Sequence, residues 1–239
     1  MSLLIDIYGL LHQRYGDQSW WPGNSQIDVV VGAILTQAVS WRNVELAIRN
    51  MEDAKCIDVD SLNDISLDEL SLLIKSSGYH NAKAKTLKAF AEYLVNNHAG
   101  SIDVFLRNPA EFVRRELLAL PGIGPETADD IMVYAARYPS FIIDAYTRRI
   151  FSRIGIMPHS PRMDYDSWQK LVHESIPEDI ALFNEYHALL VQHAKTHCTK
   201  TNPKCIDCCL LDICSTGSSS VHKVENLSLI HISEPTRPY

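Results

Sequence analysis

Apolar residues recur at intervals of three and four along most of the chain. Val29, Val30, Ala33 and Ile34 make one such face, Leu70, Leu73 and Ile74 a second, and Leu87, Phe90, Ala91 and Leu94 a third. This period matches the turn of an α-helix, so each stretch predicts a helix with one buried stripe. No segment keeps up the two-residue alternation of a half-buried strand. The interruptions, Ser77-Gly78, His98-Ala99-Gly100 and Asn108-Pro109, carry the chemistry of helix stops and starts. The pattern predicts an all-α chain with helices of about 8–18 residues and short connections.

The opening stretch, MSLLIDIYGLLHQRYG, has its apolar residues at helical spacing and contains Asp6. It lacks the basic segment and continuous apolar run of a secretory signal, and reads as an amphipathic first helix of a cytoplasmic protein. No stretch approaches the ~18 uninterrupted apolar residues of a membrane span. Ser215–Ser220 (STGSSS) predicts the end of the compact part, because small polar residues do not offset the entropy of ordering them. The last stretch, Leu227–Tyr239 (LSLIHISEPTRPY), resembles a translated sequencing adapter. A native end near Asn226 is expected, and the segment is set aside from functional reasoning.

With 239 residues, 46% hydrophobic and 21% charged, the composition is that of a folded globular chain of one large or two small domains. The net charge of -7 argues against nucleic acid as a partner, since a phosphate backbone rewards positive charge. The distribution changes that picture. Windows 71–91, 145–163 and 186–206 contain no Asp or Glu and hold eleven of the 22 basic residues: Lys75, Lys83, Lys85 and Lys88; Arg148, Arg149, Arg153 and Arg162; Lys195, Lys200 and Lys204. A basic face on an acidic body follows if the three windows meet in space; three separate solvated faces are the plainer alternative.

Five of the six cysteines fall between Cys198 and Cys214, and Cys198, Cys205, Cys208 and Cys214 spell C-x6-C-x2-C-x5-C. In a cytoplasmic chain such packing favours thiolate ligation of metal over a disulfide framework. Zinc sites usually show two C-x2-4-C pairs. Here only one short pair exists, so the spacing favours a [4Fe–4S] cluster, with zinc as the alternative. Cys209 is then a spare thiol. Lys200 and Lys204, between the first two cysteines, would stand on a rigid knuckle suited to phosphate contact.

Leu120-Pro121-Gly122-Ile123-Gly124-Pro125-Glu126 lies between two helical patterns. Two glycines permit a tight turn with outward backbone N–H groups, and Pro125 suits the first position of the next helix, whose positive end would face the same way. Such a turn grips a phosphate without reading sequence. Asp144 follows the apolar run Phe141-Ile142-Ile143 and precedes Arg148 and Arg149. A carboxylate in that setting is by itself most simply a helix N-cap.

Taken together, the LPGIG turn, Asp144 and the cysteine spacing resemble the helix-hairpin-helix DNA glycosylase superfamily. The resemblance is to its endonuclease III-related branch, which includes bacterial 3-methyladenine DNA glycosylases, and it covers roughly residues 20 to 214. It implies two helical subdomains with a DNA-binding cleft between them: 26–138 carrying the hairpin, and 1–25 plus 139–215 carrying the [4Fe–4S] cluster, with 216–239 a disordered or artefactual tail. A monomer acting on double-stranded DNA with a damaged base is expected.

The resemblance also assigns roles. Gly122 and Gly124 would hold backbone phosphate, assisted by Arg148, Lys200 and Lys204. Gln37 matches the position that fills the space vacated by an extruded base, with an ordinary surface glutamine as the alternative. Trp20 and Trp21 look like the aromatic pair that stacks on a cationic methylated purine, core tryptophans being the competing reading. Asp144 would stabilise positive charge developing on the sugar and orient the attacking water. Glu126 departs from the pattern. Bifunctional members carry a lysine there whose amine attacks the sugar, and a carboxylate cannot form that imine. The expectation is therefore a monofunctional glycosylase for alkylated bases such as 3-methyladenine, with Glu126 a pocket residue or a first-turn acid. An endonuclease III-like or mismatch glycosylase, or a module that binds DNA without catalysis, are the alternatives.

Overall fold

The computed structural model describes residues 2–18, 20 and 25–219. Trp21 and everything after Ser219, including the adapter-like Leu227–Tyr239, lie outside the described residues. Within them the chain is helical and carries no strand. The helices are α1 (Leu3–Tyr15), α2 (Gln26–Leu35), α3 (Trp41–Asp53), α4 (Val59–Asp64), α5 (Leu67–Leu73) and α6 (His80–His98). They continue with α7 (Ile102–Leu106), α8 (Ala110–Ala119), α9 (Pro125–Tyr134), α10 (Ala145–Ile154), α11 (Tyr165–Ser175) and α12 (Ile180–Thr196). None is long and apolar enough to cross a membrane.

Local chemistry explains most boundaries. Ser2, Ser25, Asp58, Ser66, Ser101, Asp144 and Asp164 each cap a helix, accepting a hydrogen bond from a first-turn N–H. α6 stops where His98-Ala99-Gly100 foretells it: Ala99 and Gly100 turn left-handed and the Gly100 N–H donates to Leu94 O at 3.0 Å. Three helices are shorter than the pattern implies, α4, α5 and α7 having 6, 7 and 5 residues. Ser66 starts α5 directly after α4, α5 tightens into the turn Lys75–Ser77, and Asn108-Pro109 stops α7.

The chain divides into two compact units, each described by itself. The hairpin unit is the described part of Ser19–Ile142 with Asp179–Asn184. At its centre every residue of α2 from Val29 to Leu35 is buried, which makes α2 a core helix rather than the one-sided helix that its spacing suggests. Around it pack Leu87, Phe90, Leu94, Phe105, Leu117 and Ile131.

The cysteine unit is Ile143–Glu178 with the described parts of Met1–Gln18 and Glu185–Tyr239. α1 buries Leu4, Ile7 and Leu11, and the Tyr186 hydroxyl donates to Leu4 O at 2.7 Å. The compact part runs further than STGSSS suggests, because residues 215–219 are helical. Ser215 Oγ donates to Arg153 O and Ile154 O at the end of α10, and Ser218 Oγ to Leu211 O. The Ser215 hydroxyl satisfies carbonyls that α10 leaves open and Ser218 holds the turn at Leu211, so small polar residues here anchor the chain.

Candidate functional site

α8 and α9 form a hairpin around Leu120–Gly124. Gly122 has φ +85°, and a Cβ there would also collide with Thr86 Oγ1 of α6, so two separate constraints demand glycine. Gly124 is extended and caps α9, with Pro125 in its first turn. Ile123 points into the core while Gly122, Gly124 and Glu126 stay exposed. The two helices are braced by Asp129, fully buried, which accepts from Arg114 Nε at 2.8 Å, Arg114 NH2 at 3.1 Å and Ser140 Oγ at 2.6 Å.

Gln37 joins this hairpin. Its Nε2 donates to Gly122 O at 3.1 Å and to Thr127 Oγ1 at 2.9 Å. Behind it sits Lys83, 3% exposed, whose ammonium donates to Leu35 O, Gln37 O and Ser77 O at 2.8, 2.9 and 2.6 Å. Burial lowers its pKa to about 8. The same lysine thus ties the end of α2 to the segment that leads into Tyr79, a ring 77% exposed at the start of α6.

Asp144 caps α10, its Oδ1 accepting from Thr147 N at 2.7 Å. Its Oδ2 lies 3.6 Å from His187 Nε2. Burial pushes the carboxyl up, but the His187 ring and the Thr147 N–H outweigh burial and hold it below the usual carboxylate value. The capping and catalytic readings are compatible: the cap engages Oδ1, and the Oδ2 that would serve other chemistry faces the His187 ring, which with the cap keeps the group ionised. The Arg148 guanidinium stacks over Tyr165 at 5.8 Å.

Cys198, Cys205, Cys208 and Cys214 line one cavity together with His193 and Arg153, and Cys209 is not in its wall. Sulfur meets donors there: Arg153 Nη1 to Cys198 Sγ at 3.2 Å, Leu210 N to Cys208 Sγ at 3.4 Å and Gly217 N to Cys214 Sγ at 3.3 Å. Burial pushes the Cys208 thiol up to about 11, so a thiolate at this position needs a cation. Among the described residues no three ligand side chains converge as a single metal ion requires. Four thiols around one cavity, three of them with N–H donors, are a donor set that zinc or an iron–sulfur cluster could take.

Residues 31–178 match the family model described as HhH-GPD superfamily base excision DNA repair protein. The chain belongs to this superfamily. A candidate DNA repair glycosylase of Methanocaldococcus jannaschii is 38% identical over 214 residues, covering 89% of this chain and 96% of that protein. Endonuclease III of Bacillus subtilis is 27% identical over 153 residues, 64% of each chain. Among solved structures, H. pylori 3-methyladenine DNA glycosylase (MagIII) aligns with TM-score 0.72 at 24% identity, over 80% of this chain and 97% of that one. A non-covalent endonuclease III–DNA complex aligns with TM-score 0.76 at 21% identity, over 93% of this chain and all of that one. These two structures establish the likeness of fold.

The structure sorts the remaining residues of this HhH-GPD chain. Trp20 is half-buried against the hairpin unit's core. Lys200 and Lys204 are exposed, and so is Glu126 in the first turn of α9. The basic windows correct the charge reading in part. Lys83 and Lys88 donate to backbone carbonyls, and Arg149 and Arg153 reach across to Cys198 O, Ala194 O, Thr199 O and Lys200 O. Much of the basic charge therefore holds the fold rather than facing phosphate. In the sequence Lys83 counts among the cations of a basic window, whereas here it is buried, and Tyr79, His187, Arg114 and Asp129 do not stand out at all. A lysine and an aspartate inside apolar helical faces were the signals on offer.

Proposed function

We propose that the chain is a monofunctional DNA N-glycosylase that hydrolyses the bond between deoxyribose and an alkylated purine such as 3-methyladenine in double-stranded DNA. The observation that carries this is the Asp144 carboxylate, kept ionised with one oxygen engaged by the Thr147 N–H. The target nucleotide must leave the stack before its glycosidic carbon is accessible. The exposed Gly122–Gly124 turn offers backbone N–H groups to phosphate, while Gln37 and the Tyr79 ring stand ready to fill the space left behind. As the base departs with the bonding electrons, positive charge grows on the sugar. Asp144 stabilises that charge and orients the water that adds there, the water's proton passing to the carboxylate or to solvent. A cationic base is already a good leaving group, so no strong general acid is required.

Strand cleavage through an imine would need an amine. Position 126 carries a carboxylate, and the three N–H bonds of Lys83 are all committed to carbonyls. Cys198, Cys205, Cys208 and Cys214 would hold a [4Fe–4S] cluster, which when bound cross-links the loop and fixes Lys200 and Lys204 at the surface.

Incubation with methylated duplex, followed by identification of released bases, tests the assignment. Release by the parent protein and a loss of about 10²–10³-fold in Asp144→Asn are expected. No release, or equal release by both, overturns it. A borohydride-trapped covalent adduct overturns the monofunctional reading.

A further inference from the structure

α1 ends at Tyr15, whose hydroxyl lies 2.9 Å from His193 Nδ1, 2.9 Å from His197 Nδ1 and 3.3 Å from Thr196 Oγ1. A phenol has one hydrogen to give. Thr196 Oγ1 already donates its own to Gln192 O at 2.8 Å and lies 2.9 Å from His197 Nδ1, so His197 faces two oxygens and serves best as an Nδ1–H donor. The Tyr15 hydrogen then goes to the nearer of its two remaining acceptors, His193 Nδ1. With Nδ1 accepting, His193 carries its proton on Nε2, and Nε2 lies 3.5 Å from Cys208 Sγ. His193 itself is 1% exposed, so water does not compete for this arrangement. Hydrogen bonds in the chain from His197 through Tyr15 and His193 to Cys208 all run in one direction.

We infer that Tyr15 and His193 are positioning residues for the cysteine site, Tyr15 fixing the His193 tautomer so that Nε2–H is aimed at Cys208 Sγ and raises the reduction potential of the cluster held there. The inference rests on the cluster reading of the four thiols given above. An N–H directed at a thiolate ligand withdraws electron density, which favours the state that carries one more electron. The Leu210 N–H supports the same sulfur, so His193 adds to a site already receptive to negative charge.

The test compares purified full-length wild type, Tyr15→Phe, His193→Leu and His193→Gln. Iron and acid-labile sulfide are quantified first, and each protein is then titrated with dithionite while the reduced form is followed by electron paramagnetic resonance. Wild type containing iron and sulfide, with a more negative potential in His193→Leu, a smaller shift of the same sign in Tyr15→Phe and a return toward wild type in His193→Gln, is the expected result. Wild type without iron and sulfide overturns the cluster reading itself. Wild type with a full cluster whose potential is unchanged in Tyr15→Phe, or moves positive, overturns the relay. Tyr15→Phe removes one hydroxyl and keeps the ring, so it decides the question even if His193→Leu does not fold.

Discussion

Gly122 and Cys208 both sit in tight turns of this HhH-GPD protein, but different forces hold the two turns. Around Gly122 the chain is fixed by what is buried beneath it: Ile123 in the core, Thr86 closing the space where a Cβ would go, and the Arg114–Asp129 brace. Around Cys208 the cavity wall has apolar side chains too, Ile150, Ile154, Leu210 and Leu211, but bonds from other segments hold the loop itself. Arg149 and Arg153 of α10 reach the carbonyls of Cys198, Thr199 and Lys200, and Tyr15 of α1 fixes the end of α12 that leads into the loop. The hairpin is finished by packing, whereas the loop is tied by polar bonds and, on the function proposed above, by a cluster that its four thiols would hold.

The largest effect that would break this contrast is loss of that centre. Cys208→Ser is expected to abolish iron and sulfide incorporation and to open the loop to protease between residues 198 and 214, while the hairpin unit keeps its protection in hydrogen exchange. Equal protection of the loop with and without iron would show that packing holds both turns. Next comes Gly122→Ala, which is expected to cost about 1–3 kcal/mol from the left-handed backbone and the Thr86 clash together. Thr86→Ala should restore the steric part alone, and full restoration by it in denaturant melts would discount the backbone contribution.

A third comparison uses acid. The carboxyl of Asp144 is held below its ordinary 3.8, so its contribution to stability is complete above that value and is lost as pH falls through the folded-state value. The gap in urea midpoint between wild type and Asp144→Asn should therefore narrow below pH 3.8 and stay constant at neutral pH. A gap that widens in acid contradicts the ionised assignment. The smallest expected effect is at Glu126, exposed in the first turn of α9, where Glu126→Gln should cost about 0.3–1 kcal/mol through the helix dipole and leave base release nearly unchanged. A large loss of base release would make Glu126 a pocket residue instead.

What could be read in the sequence follows the same division. The LPGIG turn, the helix stops at Gly78 and Gly100 and the serine and aspartate caps are local: a few adjacent residues determine them, and they stand where expected. The cysteine spacing singled out the four thiols that share a cavity and left out Cys209. Charge was harder to read. Lys83 and Arg153 looked like surface cations because their acceptors are backbone carbonyls, which every residue carries and no spacing reveals. Pairs such as Arg114 with Asp129, or Tyr15 with His193, join residues 15 and 178 positions apart, and only the folded chain brings them together. For the same reason Asp144 could be recognised as a cap from its neighbours, but not as the neighbour of His187.

The bond between Tyr15 and His193 also imposes an order on synthesis. A ribosome releases α1 before the hairpin unit, yet the histidine that takes the Tyr15 hydrogen is made 178 residues later. Most of the hairpin unit is contiguous and emerges in between, free to condense as a nascent domain. α1 must therefore wait while another domain is made, and the partners of its apolar stripe of Leu4, Ile7 and Leu11 that lie on α12 arrive only when that helix is synthesised.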